Sequence, residues 1–316
     1  MTRNKIKNIV FLIFLVVAGY FLYGYMRSNW QKIQHETFHI EPWNFMLSVL
    51  ASFSAWVIVA YSWKWFLRKL GQQLTFKQSY VATMLPQLGR YVPGKIWAIL
   101  GTQYYSEKFG ATRDTALYAS FLNPVCFLLG TAFLGVFYIV WSGQMLLDNW
   151  GWVVLAVLTG VFLMVIHPRI FSLLVNLVIR IFHWQPFTVR LSYGNILVLI
   201  IFQMVSAIFL GVSFCFFSAA VGGITWGQYP EVALSFVTAA IIGNISVFAP
   251  GGIGVRESVL MILLPKSISP GILLVMVFGG RIWATVVQLA AIGIAALINT
   301  KLFTGRQPYE DPVSDQ

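Results

Sequence analysis

Apolar residues along this chain fall in long unbroken runs separated by short polar stretches. Six runs, about 9–26, 43–63, 115–141, 150–166, 195–217 and 271–299, approach or exceed the roughly 20 residues a helix needs to cross a bilayer. The fourth is the shortest, and the last has length to spare for tilting. Two further apolar segments, 78–104 and 231–264, are interrupted by helix breakers. The first contains "YVPGKIWAIL" (91–100) and the second "FAPGGIGVRE" (248–257), each with an aromatic residue, a spacer and then Pro-Gly.

The loop cations decide how the broken segments run. If both crossed as kinked helices, basic residues would divide evenly between the two sides. If both enter and return, Lys108, Arg113, Arg169, Arg180 and Arg190 join the cytoplasmic side, leaving Arg27, Lys32, Arg256 and Lys266 outside. The positive-inside rule favours the second arrangement. Length agrees, since Ser79–Val92 as a helix rises about 21 Å, past the middle of the hydrocarbon but not through it. The expected fold is therefore an all-α polytopic membrane protein. It has six full transmembrane helices and two broken re-entrant hairpins, about eight membrane segments. An offset of 157 residues superposes Pro93 on Pro250, Ile96 on Ile253 and Tyr91 on Phe248, and carries the spans at 43–63 and 115–141 onto the later ones. Repeat halves of about 43–141 and 195–299 would then face opposite ways, an inverted internal repeat of the kind recurrent in transporters.

Composition narrows the class without altering this picture. The chain is 58% hydrophobic and 10% charged, with a mean hydropathy of +0.77, whereas soluble domains carry about 25% charged residues. Residues 1–306 read as one integral membrane domain and 307–316 as a disordered cytoplasmic tail. The net charge of +11 fits loop cations rather than nucleic acid. Basic residues before 9–26, with bulky aromatics after it and no small-x-small site, predict a retained signal anchor. Within 168–183, Arg169, Ser172, Asn176, Arg180 and His183 form a polar stripe. It suits either a helix lying on the cytoplasmic membrane face or a loop-packing helix. Cys126 and Cys215 sit in apolar runs as packing residues, and no metal site or cofactor is expected.

The breaks carry the candidate chemistry. A proline frees backbone carbonyls and a new half-helix starts after it, so the turns at Pro93-Gly94 and Pro250-Gly251-Gly252, with Gly254, expose N–H groups that favour anions. Arg90 and Lys95 flank the first break, Arg256 follows the second, and Arg281 lies about 15 Å into the last span. A buried arginine costs roughly 3 kcal/mol and needs a partner or a wet cavity. Four cations against Glu257 point to an anionic guest, with phosphate the natural candidate. Each residue has a blander reading. Arg90 and Lys95 can snorkel to the interface, Arg256 and Glu257 can simply open a helix, and Arg281 can be a structural pair. Asn244, Gln203 and Gln288 either line a cavity or bond helix to helix.

At these residues the sequence resembles the lysylphosphatidylglycerol synthase transmembrane-region family, also described as flippase-like integral membrane proteins. Pro250, Gly251, Gly252, Gly254 and Glu257 match its Pro-Gly-Gly-x-Gly-x-x-Glu element. "LGRYVPGKIW" resembles its Arg-x-x-Pro-x-(Lys/Arg) region, and Arg281 the arginine of its last helix. Multidomain members are credited with moving an aminoacylated phospholipid between leaflets, while a cytoplasmic domain attaches the amino acid. No part of this sequence resembles that domain, so no enzyme activity is expected. The resemblance implies a translocase for an anionic phospholipid or polyprenyl-phosphate-linked lipid in envelope or surface-glycan assembly. The membrane would be a bacterial or archaeal cytoplasmic one, with both termini in the cytoplasm. Glu257 is a candidate for coupling. The alternative is a non-transporting scaffold that binds anionic lipid and organises envelope-assembly enzymes. The expected partners are membrane lipids and envelope or glycan-assembly proteins, with no nucleic acid.

Overall fold

The structure, a computed structural model, describes residues 40–91, 96–141, 153, 157, 159–160, 164, 192–246, 252, 254–264 and 268–304. The predicted signal anchor, most of the span at 150–166, the stripe at 168–183 and the tail lie outside the described residues, which are helical with no strand among them. In chain order the helices are α1 (Pro42–Lys69), α2 (Phe76–Met84), α3 (Ile96–Lys108), α4 (Arg113–Trp141), α5 (Tyr193–Ala220), α6 (Tyr229–Ile245), α7 (Val255–Leu263), α8 (Pro270–Leu274) and α9 (Gly280–Thr304). A π-helical turn, Val275–Gly279, joins α8 to α9 in one rod. Among the described residues, four helices are long and apolar enough to cross a membrane: Pro42–Lys69, Arg113–Tyr138, Tyr193–Ala220 and Pro270–Leu302. They coincide with four of the six predicted spans.

α1 and α5 form the central seam. The Glu41 N–H donates to Ala220 O (2.9 Å), Ser213 Oγ donates to Ser48 O (2.8 Å) and Ser206 Oγ donates to Ala55 O (3.3 Å). Partners advance by seven residues on one helix as they retreat by seven on the other, so the two run antiparallel. Small side chains at Ser48, Ser52, Ala55, Ser206 and Ser213 are buried along this seam. In lipid, where apolar surface gives helices no reason to associate, small residues allow the close backbone approach that does.

Each end of the seam holds a hairpin. At one end Gln72 Oε1 accepts from the Thr112 N–H (3.1 Å), so the chain entering α2 and the chain leaving α3 are neighbours. Trp63 Nε1 donates to Ser106 Oγ (3.2 Å) and ties α3 back to α1. Trp63, Phe66, Leu74, Val81, Phe109, Leu122 and Ile196 form the core there. At the opposite end Ser235 Oγ donates to Leu263 O (3.4 Å), returning α7 beside the start of α6. Phe214, Val232, Phe236, Leu260, Met276 and Trp283 form the second core. Among the described residues, Lys64, Arg68, Lys69, Lys77, Lys108, Arg113 and Lys301 stand with Glu107 and Asp114 at the first end, whereas Glu41 and Glu231 stand at the second.

Both hairpins open on a reciprocal cap that the sequence reading overlooked, Thr-aromatic-x-Gln. The Thr75 N–H donates to Gln78 Oε1 (2.8 Å), and the Thr225 N–H donates to Gln228 Oε1 (2.9 Å). These caps lie 150 residues apart, and the 28-residue helices α1 and α5 begin 151 apart. The offset therefore rises from about 150 before the breaks to 157 at them and keeps that value afterwards, since α4 and the α8–α9 rod begin at Arg113 and Pro270, 157 residues apart. The physical reason is insertion: seven more residues, about two turns, separate Thr225 from Pro250 than separate Thr75 from Pro93.

Candidate functional site

The first hairpin leaves α-helical geometry earlier than its Pro-Gly pair predicts. A 3-10 segment, Leu85–Tyr91, follows α2 directly. Pro86, without an N–H and crowding the turn before it, accounts for the change. Two glycines bring the limbs together there. A Cβ on Gly101 would fall 2.9 Å from Pro86 Cβ, and one on Gly89 would fall 2.8 Å from the Ala98 nitrogen. Arg90 sits near the end of this segment, half-buried. Its Nη1 donates to Gln87 Oε1 (3.1 Å) and its Nη2 donates to Asn244 Oδ1 (3.2 Å). That second bond joins the tips of the two hairpins. Asn244 thus bonds across elements, as Gln203 does by donating to Asn123 Oδ1.

The second tip closes on glycine. Gly252 has φ +72° and lies against Gly243, where a Cβ on Gly252 would be 3.0 Å from the Gly243 Cα and carbonyl oxygen. Gly254, with φ +85°, opens α7. Its N–H donates to Glu257 Oε2 (2.7 Å), so the carboxylate caps the helix whose third position it occupies. The other carboxylate oxygen, Oε1, lies 3.8 Å from Arg281 Nε. The Glu257 side chain is 6% exposed and that of Arg281 22%. Arg281 follows the π turn and Gly280, and stands about 16 Å along the rod from Pro270. A π turn adds one residue to the helix and redirects everything after it. Gly279-Gly280 is the one sequence trace of this feature, and a Cβ on Gly280 would fall 2.8 Å from Phe214 Cε2.

Arg256 takes a different kind of partner. Its guanidinium carbon lies 4.1 Å from the ring centroid of Phe236, which stacks on Phe214 at 4.7 Å. A cation over a desolvated ring gains about 1–2 kcal/mol and keeps its charge. The three arginines belong to one connected group. Arg90 bonds Asn244, Gly243 packs on Gly252 and on the Arg256 Cβ, and Gly254 leads through Glu257 to Arg281. Lys95, Pro93, Gly94, Pro250 and Gly251 lie outside the described residues. Within the group, Arg281 and Glu257 form an ion pair, while Arg90 and Arg256 are held by amide oxygens and an aromatic face.

No curated protein and no solved structure matches the chain. The family model described as the lysylphosphatidylglycerol synthase TM region matches residues 9–292. Over that length, with its apolar spans, the chain belongs to this family of integral membrane proteins linked to lipid handling.

Proposed function

We propose that this protein is a lipid translocase that moves an anionic, phosphate-bearing phospholipid or polyprenyl-phosphate-linked lipid between leaflets. The observation that carries the reading is the meeting of the two hairpin tips through Arg90 and Asn244, with Arg256 and Arg281 in the same connected group. Both hairpins turn back to the end they left, which supports re-entrant segments. The antiparallel seam of equal-length helices, flanked by hairpins opening on the same cap, supports an inverted repeat. The cation-rich end of the bundle is then cytoplasmic, and both termini lie on that side of the cytoplasmic membrane. Arginine is suited to the guest because its planar fork grips phosphate through two bonds. Lys95, outside the described residues, is assigned to the same anion site from its place in the sequence beside Arg90, whereas the start of α7 is already capped by Glu257; the proposed activity involves no covalent step. The partners in this reading are the lipids themselves and the envelope-assembly proteins that supply or receive them.

The experiment reconstitutes the protein in liposomes and follows a fluorescent anionic lipid between leaflets. Wild type moves the lipid and Arg281→Gln does not. The double variant Arg281→Gln/Glu257→Gln restores charge balance and is decisive. If Arg281 holds the headgroup, flux stays lost. If the pair is only structural, flux returns and the proposed role of Arg281 is wrong.

A further inference from the structure

Two of the groups that hold Arg90 are amides, and they differ in what they tie together. Gln87 lies one turn earlier in the same limb and is itself anchored, its Nε2 donating to Thr83 O (3.1 Å). Asn244 lies 154 residues away on the other hairpin. Its neighbour Gly243 lies so close to the second turn that a Cβ there would fall 3.2 Å from the Arg256 Cβ and 3.6 Å from the Gly252 Cα, so a displacement of Asn244 reaches that turn directly. In the translocase reading a headgroup passing between the two hairpins parts them, and the Arg90–Asn244 bond is a contact that parting breaks.

We propose that Asn244 is a positioning residue and a releasable latch. Its amide oxygen occupies a place on the Arg90 guanidinium that a headgroup phosphate oxygen takes, and the two exchange as the lipid arrives and leaves. This inference rests on the translocase reading. The chemistry of the amide fits the role. A bond from a guanidinium to an ionised oxygen is roughly twice as strong as one to a neutral carbonyl. Phosphate therefore displaces the asparagine, and the asparagine reclaims the arginine when phosphate departs. A carboxylate in the same place would compete with phosphate on equal terms and hold the tips shut. The usual role of a buried asparagine between membrane helices is simple adhesion, and the two roles give opposite orders of activity among variants.

The test compares Asn244→Asp, Asn244→Ala and wild type, with Asn244→Ser as a further small polar replacement should the alanine variant fail to fold. The probe is phosphatidylglycerol, fluorescently labelled in phosphatidylcholine liposomes for flux, and unlabelled in nanodiscs for native mass spectrometry of retained lipid. The latch predicts that Asn244→Asp, folded and monodisperse, loses flux and phosphatidylglycerol retention by about tenfold. Asn244→Ala, which leaves no oxygen for phosphate to displace, exceeds wild type in both flux and retention. Adhesion predicts the reverse, because aspartate preserves the bond to Arg90 and alanine removes it. Flux and retention in Asn244→Asp at or above those of Asn244→Ala overturn the latch. If wild type retains phosphatidylglycerol without moving it, the translocase reading fails, and the retention order still decides the latch. If wild type neither moves nor retains it, both are overturned.

Discussion

Replacing Gly252 with alanine tests the tip of the second hairpin with a magnitude that can be worked from geometry. The φ of +72° strains an L side chain by about 1–2 kcal/mol. The new Cβ would also lie 3.0 Å from the backbone of Gly243, which cannot swing aside as a flexible side chain would. Overpacking of that kind costs about 1–3 kcal/mol. Gly254 separates the two contributions, since its φ is +85° but a Cβ there meets nothing within 4 Å. Gly71, with φ +80° and equally open surroundings far from the tips, is the control. The expected loss is about 2–5 kcal/mol for Gly252→Ala and about 1–2 kcal/mol for Gly254→Ala and Gly71→Ala. Thermal unfolding in nanodiscs reads this as a drop of about 4–10 °C against about 2–4 °C, taking about 2 °C per kcal/mol for a chain this long. Equal losses at Gly252 and Gly254 would refute the close approach of the Gly243 and Gly252 backbones, and with it the packed tip on which the site is built.

Three further outcomes follow from the same contacts. Glu257→Gln removes the charge opposite Arg281 and should cost about 3 kcal/mol, with much of it recovered in Glu257→Gln/Arg281→Gln; thermal unfolding of the four-member cycle measures the coupling, and additive losses would disprove the pair. Ser213→Leu should lower the unfolding temperature far more than Ser213→Ala, because the first wedges the α1–α5 seam apart, about 1–3 kcal/mol, and the second loses one bond of about 0.6 kcal/mol; similar shifts would argue against close packing at that level. Phe236→Leu keeps an apolar side chain but removes the ring under Arg256, so lipid retention by mass spectrometry should change while folding is kept, and unchanged retention would detach Arg256 from the site.

Much of the architecture was readable because lipid imposes it. Runs of twenty apolar residues have few ways to satisfy their backbone other than as helices, and the spans expected at 43–63, 115–141, 195–217 and 271–299 appear as α1, α4, α5 and the α8–α9 rod. The glycines of the second break were legible for a similar reason: Gly252 and Gly254 adopt conformations that other residues avoid. The correspondence between the two halves of the sequence was less so. Pro93 and Pro250 carry the offset of 157 that α4 and the α8–α9 rod share, while Thr75-x-x-Gln78 and Thr225-x-x-Gln228 carry an offset of 150, close to the 151 between α1 and α5. Pro86 was passed over in favour of Pro93, although it already ends the α-helical limb. The partners of the cations lay beyond reach. Arg90 finds Asn244 across 154 residues, and Arg256 finds a ring on α6. Such contacts depend on how two hairpins dock, which no local pattern encodes.

The most direct measurement is the sidedness of the first hairpin. Single cysteines at Lys69, Lys108 and Trp226, in a background where the buried Cys126 and Cys215 are replaced, are labelled with a membrane-impermeant maleimide in oriented vesicles. Proximity of Gln72 to Thr112 predicts that positions 69 and 108 react from one side, the cytoplasmic face, and position 226 from the other. Labelling of 69 and 108 from opposite faces would mean that the segment crosses, and would contradict the account at its root.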